Sequence, residues 1–250
     1  MIQYLCAKTK EEASRLAADL AKTILRENPD ATLGLATGSS PFDFYACLAE
    51  DNRKGEISFA RVKSVNLDEY VGLSPAHPQS YAYFMRKNFF DHIDILPENI
   101  HLPNGMAEDL CAECERYHGV LLACGKPDLQ VLGIGNNGHI GFNEPSDTFS
   151  EKTSVINLTE STIRANSRFF TSESEVPKRA ISMGVSEILR AKTILMFAFG
   201  SAKADILEQA LFGKVTPQVP ASILQTASQV YVCADDEAMA TIRKKHGNIA

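Results

Sequence analysis

Positive charge is in short supply in this chain. Among 250 residues, 25 Lys and Arg face 31 Asp and Glu, giving a formal net charge of −6 and a pI near 5.6. A protein that grips a phosphate backbone needs a basic face, so no nucleic-acid partner is expected. A small anionic ligand stays compatible, because a pocket can be locally positive on an acidic protein. Long apolar runs are missing too. None approaches the ~20 residues that cross a bilayer, and Met1-Ile2-Gln3-Tyr4-Leu5 lacks the basic-then-apolar order of a secretory leader. The expectation is a cytoplasmic protein with no membrane partner.

Cysteine is sparse and scattered. Cys6, Cys124 and Cys233 lie in or beside apolar runs, where a thiol is a small core residue, and Cys47 stands alone. Cys111 and Cys114 form a single C-x-x-C pair inside a helical pattern. A structural zinc would need a second pair or matched histidines, so these read as two helix-face thiols and no metal is expected. There is no repeat, no low-complexity tract and no linker. With 44% hydrophobic and 22% charged residues, the chain is an ordinary globular sequence rather than a disordered or fibrous one. One core of this size buries on the order of 70% of the unfolded chain's surface. One domain over residues 1–250 is the natural reading.

What is present is alternation. Short apolar runs (Ile2 to Ala7, Thr32 to Ala36, Val62 to Asn66, Leu129 to Ile134, Thr193 to Phe199, Val230 to Cys233) read as strands. Amphipathic stretches between them read as helices: Thr9 to Arg26, Pro41 to Glu50, Gln79 to Asp91, Ala107 to Ala123, Ala202 to Leu211 and a last one from Asp235. The second is expected to open with a serine cap and a proline at its first position. The implied fold is α/β: an open, mainly parallel, Rossmann-like sheet with helices on both faces. One stretch differs. Ser150 to Gly184 is polar, yet carries Arg164, Arg168, Lys178 and Arg179. It is expected to be a helical excursion, either simply solvated or a lid that brings cations to an anion.

In such a sheet, ligands bind beyond the carboxyl ends of the strands. Four of those ends carry unusual residues. Thr37-Gly38-Ser39-Ser40-Pro41 leads from a strand into a helix start and can offer N–H groups and hydroxyls to a phosphate; it can equally be an ordinary cap. It is not a P-loop, since no G-K-[ST] follows. Asn66-Leu67-Asp68-Glu69-Tyr70 places two adjacent acids at a strand end, where one can face the crevice while the other caps or pairs. Gly133-Ile134-Gly135-Asn136-Asn137-Gly138-His139 matches the dinucleotide fingerprint, but a loop follows instead of a helix, so that match is set aside. What remains is a glycine loop presenting His139, with Glu144 nearby, as an acid/base candidate. Gly200-Ser201-Ala202-Lys203 repeats the strand–glycine–helix step with a lysine in the first turn, where a cation opposes the helix dipole unless an anion binds. Together these ends point to an enzyme acting on a small phosphorylated metabolite.

ATGSSP (Ala36 to Pro41), NLDEYVGL (Asn66 to Leu73), HPQSY (His77 to Tyr81), GIGNNGHIGFNEP (Gly133 to Pro145) and ANSRFF (Ala165 to Phe170) closely resemble the glucosamine-6-phosphate deaminase family, in the right order from Leu33 to about Lys203. The resemblance implies hydrolytic deamination with aldose–ketose isomerisation, glucosamine 6-phosphate to fructose 6-phosphate and ammonia, with no metal or organic cofactor. It implies that His139 assists ring opening, oriented by Glu144 and Asn137, and that Asp68 moves the C2 proton to C1. Gly38, Ser39, Ser40, Arg168 and Lys203 would hold the phosphate, and 150–184 would be the lid. Where several family members carry an aspartate, this chain has Asn137, which can fix an imidazole but not neutralise an imidazolium.

Some members are activated by N-acetylglucosamine 6-phosphate through an Arg-x-Lys pair; here that stretch is Ser154-Val155-Ile156. Its lack of cations, and a short stretch after the last helix, lead to the expectation of a monomer or low-order homo-oligomer without that activation. Two alternatives share parts of this pattern. A 6-phosphogluconolactonase-like hydrolase would share the phosphate turn but would not require NLDEYVGL. A non-catalytic sugar-phosphate sensor could lose Asp68 and His139 and would carry a DNA-binding segment, for which no room is expected before Ile2.

Overall fold

The computed structural model describes residues 1–247. Ten strands and eight α-helices alternate along them. Seven strands form one sheet in the order β1 (Ile2–Ala7), β10 (Val230–Asp235), β9 (Thr193–Ala198), β6 (Leu129–Gly133), β2 (Thr32–Leu35), β3 (Lys63–Asn66), β5 (Ile100–His101). Every pairing in it is parallel. The central strands are apolar on both faces, as a sheet covered on both sides requires, and all six residues of β9 are buried. The main helices flanking it are α1 (Lys10–Glu27), α2 (Phe42–Arg53), α3 (Tyr81–Asn88), α4 (Leu110–Cys124), α7 (Ala204–Phe212) and α8 (Ala240–His246). Helix α1 packs on α2, and α7 on α8.

Local chemistry sets most helix starts. Thr9 accepts from the Glu12 N–H to open α1, and Asp109 accepts from Cys111 and Ala112 to open α4. Helix α2 departs from expectation. Pro41 is its N-cap, not its first helical residue, and no side chain caps it. Ser40 is therefore not spent on the helix. The CxxC pair lies on α4, as anticipated, with Cys114 buried and Cys111 exposed.

Strand order locates the crevice. From β2 the chain runs outward through β3 and β5, then returns to add β6 on the other side of β2. The loops leaving β2 and β6 therefore diverge, and the gap between them is the topological switch point where open α/β sheets bind ligands.

A second, antiparallel sheet was not anticipated. It contains β4 (Asp68–Tyr70), β8 (Arg179–Ser182) and β7 (Ser154–Asn157), in the order β4-β8-β7. The chain turns at Leu67, whose carbonyl accepts from the Met183 N–H at 2.8 Å. The acid pair expected at the end of β3 thus lies on a strand of its own. Stretch 150–184 is correspondingly not a purely helical excursion. It enters as β7, carries the short helix α5 (Glu160–Asn166) and two 3₁₀ turns, and leaves as β8, just before the single turn of α6 (Val185–Ile188). Val155 and Ile156 in β7, with Ala180 and Ile181 in β8, supply the apolar residues that its polar average conceals.

Candidate active site

A cleft of about 920 Å³ opens at the switch point, lined by the loops after β2, β6 and β9, by β4, and by α5 with the turn that follows it. Asp68, Asn137, His139, Gly38, Ser39, Ser40, Arg168 and Lys203 all line it. Of the nine residues singled out from sequence, Glu144 alone is not in its wall.

Asp68 and Glu69 divide as strand geometry requires, because successive side chains point to opposite faces. Glu69 turns away to the start of α3, accepting from the N–H groups of Tyr81 and Ala82, both at 2.8 Å, and of Tyr70 at 2.9 Å. Burial pushes its carboxyl up and these backbone bonds pull against that. Asp68 faces the cleft at 5% exposure, and no hydrogen bond to its carboxylate is found among the described residues. Desolvation, with a smaller push from Glu69, raises its pKa to about 8. A carboxylate in this state holds a proton weakly enough to release it and strongly enough to take one.

The glycine loop after β6 is built around His139. A Cβ on Gly135 would lie 2.4 Å from the imidazole, so only glycine leaves space for the ring. The ring's Nδ1 stands 3.4 Å from Glu144 Oε2 and has no closer partner. Nε2 is the nitrogen left to meet a ligand. Asn137 makes no hydrogen bond to the ring among the described residues. Its Nδ2 donates to Glu144 Oε2 at 2.6 Å and its Oδ1 accepts from the His139 backbone N–H at 3.2 Å. Burial pushes the Glu144 carboxyl up, but the facing His139 and the hydrogen bonds from Thr162 and Asn137 outweigh it and hold the group below its ordinary value. The amide thus braces the loop and the carboxylate.

The far end of the cleft is cationic. Lys203 Nζ reaches Asn136 Oδ1 at 2.5 Å. Burial lowers its pKa and the nearby Arg168 lowers it further. Two cations held together at this cost are explained by an anion between them. Arg168 lies in the 3₁₀ turn after α5, its guanidinium 4.7 Å from the Phe169 ring centroid. Gly38, at φ +108°, lets the loop after β2 fold back on the cleft, and Lys10 pins that loop by donating to the Ser39 carbonyl at 2.8 Å. Thr162, Asn166 and Tyr70 were not anticipated at the site. Thr162 Oγ1 donates to Glu144 Oε1, and Asn166 Nδ2 donates to the Tyr70 hydroxyl at 2.9 Å. Nothing in their residue types distinguishes them from ordinary helix and strand residues.

An acid, a histidine and a cation pair gathered at the switch point of a parallel sheet define a class, the doubly wound α/β proteins with a strand-end site for an anionic small molecule. The chain belongs to the glucosamine-6-phosphate isomerase/6-phosphogluconolactonase family, whose model matches residues 7–232. It is 50% identical over 232 residues to the glucosamine-6-phosphate deaminase of Thermoanaerobacter sp. (strain X514), covering 93% of this chain and 92% of that one. To the deaminase of Lachnoclostridium phytofermentans it is 52% identical over 224 residues, covering 90% and 95%. A solved monomeric glucosamine-6-phosphate deaminase superposes with a TM-score of 0.93 at 44% identity, over 96% of this chain and 99% of that one. The 6-phosphogluconolactonase of Trypanosoma brucei, at 16% identity and a TM-score of 0.76, shares the fold.

Proposed function

We propose that this protein is a glucosamine-6-phosphate deaminase, converting glucosamine 6-phosphate and water to fructose 6-phosphate and ammonia. One observation carries the reading: an unpartnered, buried Asp68 carboxylate shares a cleft with His139, and Arg168 and Lys203 hold the other end. Phosphate binding by those cations and by Ser39, Ser40 and the Gly38 turn anchors the sugar. His139 Nε2 moves the proton that opens the pyranose ring, with Glu144 fixing the imidazole and Asn137 bracing Glu144. Asp68 then takes the C2 proton; the C2–H electrons form the C1=C2 bond of an enolamine while the C1 carbonyl oxygen takes up a proton, and Asp68 returns its proton to C1. The resulting C2 imine adds water and expels ammonia, so the isomerisation is completed by a hydrolytic step.

Residues 150–184 form the lid of the site within a single domain, a role supported by α5 and Arg168 lying over the cleft. The likeness to a monomeric deaminase supports a monomer or low-order homo-oligomer. Six free thiols, Cys111 among them exposed, support a reducing, cytoplasmic setting. A lactonase needs no base positioned at C2, which leaves Asp68 without a task. Ammonia release from glucosamine 6-phosphate by the purified protein is the test. Hydrolysis of 6-phosphogluconolactone without ammonia release would overturn the reading.

A further inference from the structure

Glu144 is held by donors from two directions. Its Oε2 faces the glycine loop, with Asn137 Nδ2 at 2.6 Å and His139 Nδ1 at 3.4 Å. Its Oε1 faces α5, where it accepts from the Thr162 hydroxyl. That hydroxyl is itself aligned. Thr159, the N-cap of α5, accepts from the Thr162 backbone N–H and donates its own hydroxyl proton to Thr162 Oγ1 at 3.1 Å. A run Thr159 → Thr162 → Glu144 leaves the Thr162 proton one place to go, and each bond in such a chain strengthens the next. Thr162 is 6% exposed, so water does not readily replace it. Four residues on, and therefore on the same face of α5, Asn166 donates to Tyr70 in the strand that carries Asp68. One helix face is bonded to both halves of the chemistry.

We propose that Thr162 is a positioning residue: it fixes Glu144, and through Glu144 the imidazole of His139, so that the ring-opening arrangement is complete only when α5 is seated on the cleft. This rests on the deaminase reading for its chemistry but not for its geometry. The ionisable group set against Glu144 is His139, from the glycine loop; Asn137 from that loop and Thr162 from α5 are neutral donors. Without the Thr162 hydroxyl, Oε1 is left buried and unbonded, Glu144 is freer to rotate, and the carboxylate takes up a proton at higher pH.

The test compares Thr162→Val with Thr162→Ser. Valine keeps the branched shape and removes the hydroxyl; serine keeps the hydroxyl. Thr162→Val should lower kcat for glucosamine 6-phosphate by roughly 10- to 100-fold. KM should change little, since Thr162 makes no contact with the proposed phosphate cations, and the acid limb of the pH–rate profile should move to higher pH. Thr162→Ser should restore kcat to within about 3-fold of wild type, because the bonding group is back. Ring ¹⁵N shifts of His139, measured without substrate, should change in the valine variant and return in the serine variant. That last readout does not depend on activity, so it decides the role of Thr162 even if the wild-type protein releases no ammonia, an outcome that defeats only the deaminase reading. The proposal is overturned by unchanged His139 shifts in Thr162→Val, or by a loss that serine fails to restore, which marks a packing role.

Discussion

At the scale of single residues, the site depends on groups kept in states they would not adopt in water. Asp68 is the clearest case. Its pKa stands near 8 in the folded chain against an ordinary 3.8. Between those values the folded state keeps a proton that the unfolded state has lost, so stability falls as pH rises through that window. The cost is absent below about pH 4 and complete above about pH 8. Asp68→Asn removes it, and is expected to raise Tm at pH 8, with no gain at pH 4. The same variant should lower kcat by at least about 10², since an amide cannot carry the proton. Calorimetry at the two pH values beside turnover checks both; a Tm gain that does not grow with pH rules out a buried charge as its cause. Lys203 gives a different signature. Lys203→Met should raise KM for the sugar phosphate by roughly 10- to 100-fold, removing one charge-assisted bond, and change kcat less. A fall in kcat at unchanged KM would place the lysine in the chemistry. Asp68 and His139 were legible in the sequence because each follows an apolar run and leaves the sheet where ligands bind. Thr162 was not, since its partner is a carboxylate 18 positions away and its local pattern is a helix cap.

Among the elements, six strands of the large sheet were legible; its two-residue edge strand β5 and the whole small sheet were not. Strands β2, β6 and β9 are buried on both faces, so they appear as mainly apolar runs, interrupted in β6 by the buried Gln130. Strands β4, β7 and β8 are only three or four residues long, and two of them lie in a stretch whose average is polar. Their pairing is set by partners far along the chain, Asp68 with Ser182 and Ser154 with Ser182, which local propensity does not encode. The loop after β6 shows how far an element-level pattern can mislead and still inform. Its glycines imitate a dinucleotide fingerprint, yet Gly135 exists to admit the His139 ring. Gly135→Ala should therefore push the imidazole off Glu144 and lower kcat/KM by about 10² or more, with binding of inorganic phosphate at the cation end nearly unchanged. Isothermal titration with phosphate beside turnover separates the two, and equal loss of both would mean that the whole loop, not the ring, had moved.

For the molecule as a whole, the small sheet forms one mechanical path from β7 to Asp68. Ser154 is paired with Ser182, and Ser182 is paired with Asp68, so the start of β7 is two strands from the Asp68 carboxylate. A ligand bound there with different affinity for two positions of β7 would shift Asp68 and α5 together, which is what an activator must do. The relevant positions in this chain are Ser154, Val155 and Ile156. A hydroxyl and two aliphatic side chains provide none of the charge-assisted bonds that a phosphorylated activator needs. The connection is present but the handle is missing. The expected outcome is a hyperbolic dependence of rate on glucosamine 6-phosphate, unchanged by N-acetylglucosamine 6-phosphate. Placing cations at the two outer positions, Ser154→Arg with Ile156→Lys, should create binding of that phosphate. A sigmoidal wild-type curve that N-acetylglucosamine 6-phosphate makes hyperbolic would show that the activator is held elsewhere, and that β7 is not its route to Asp68.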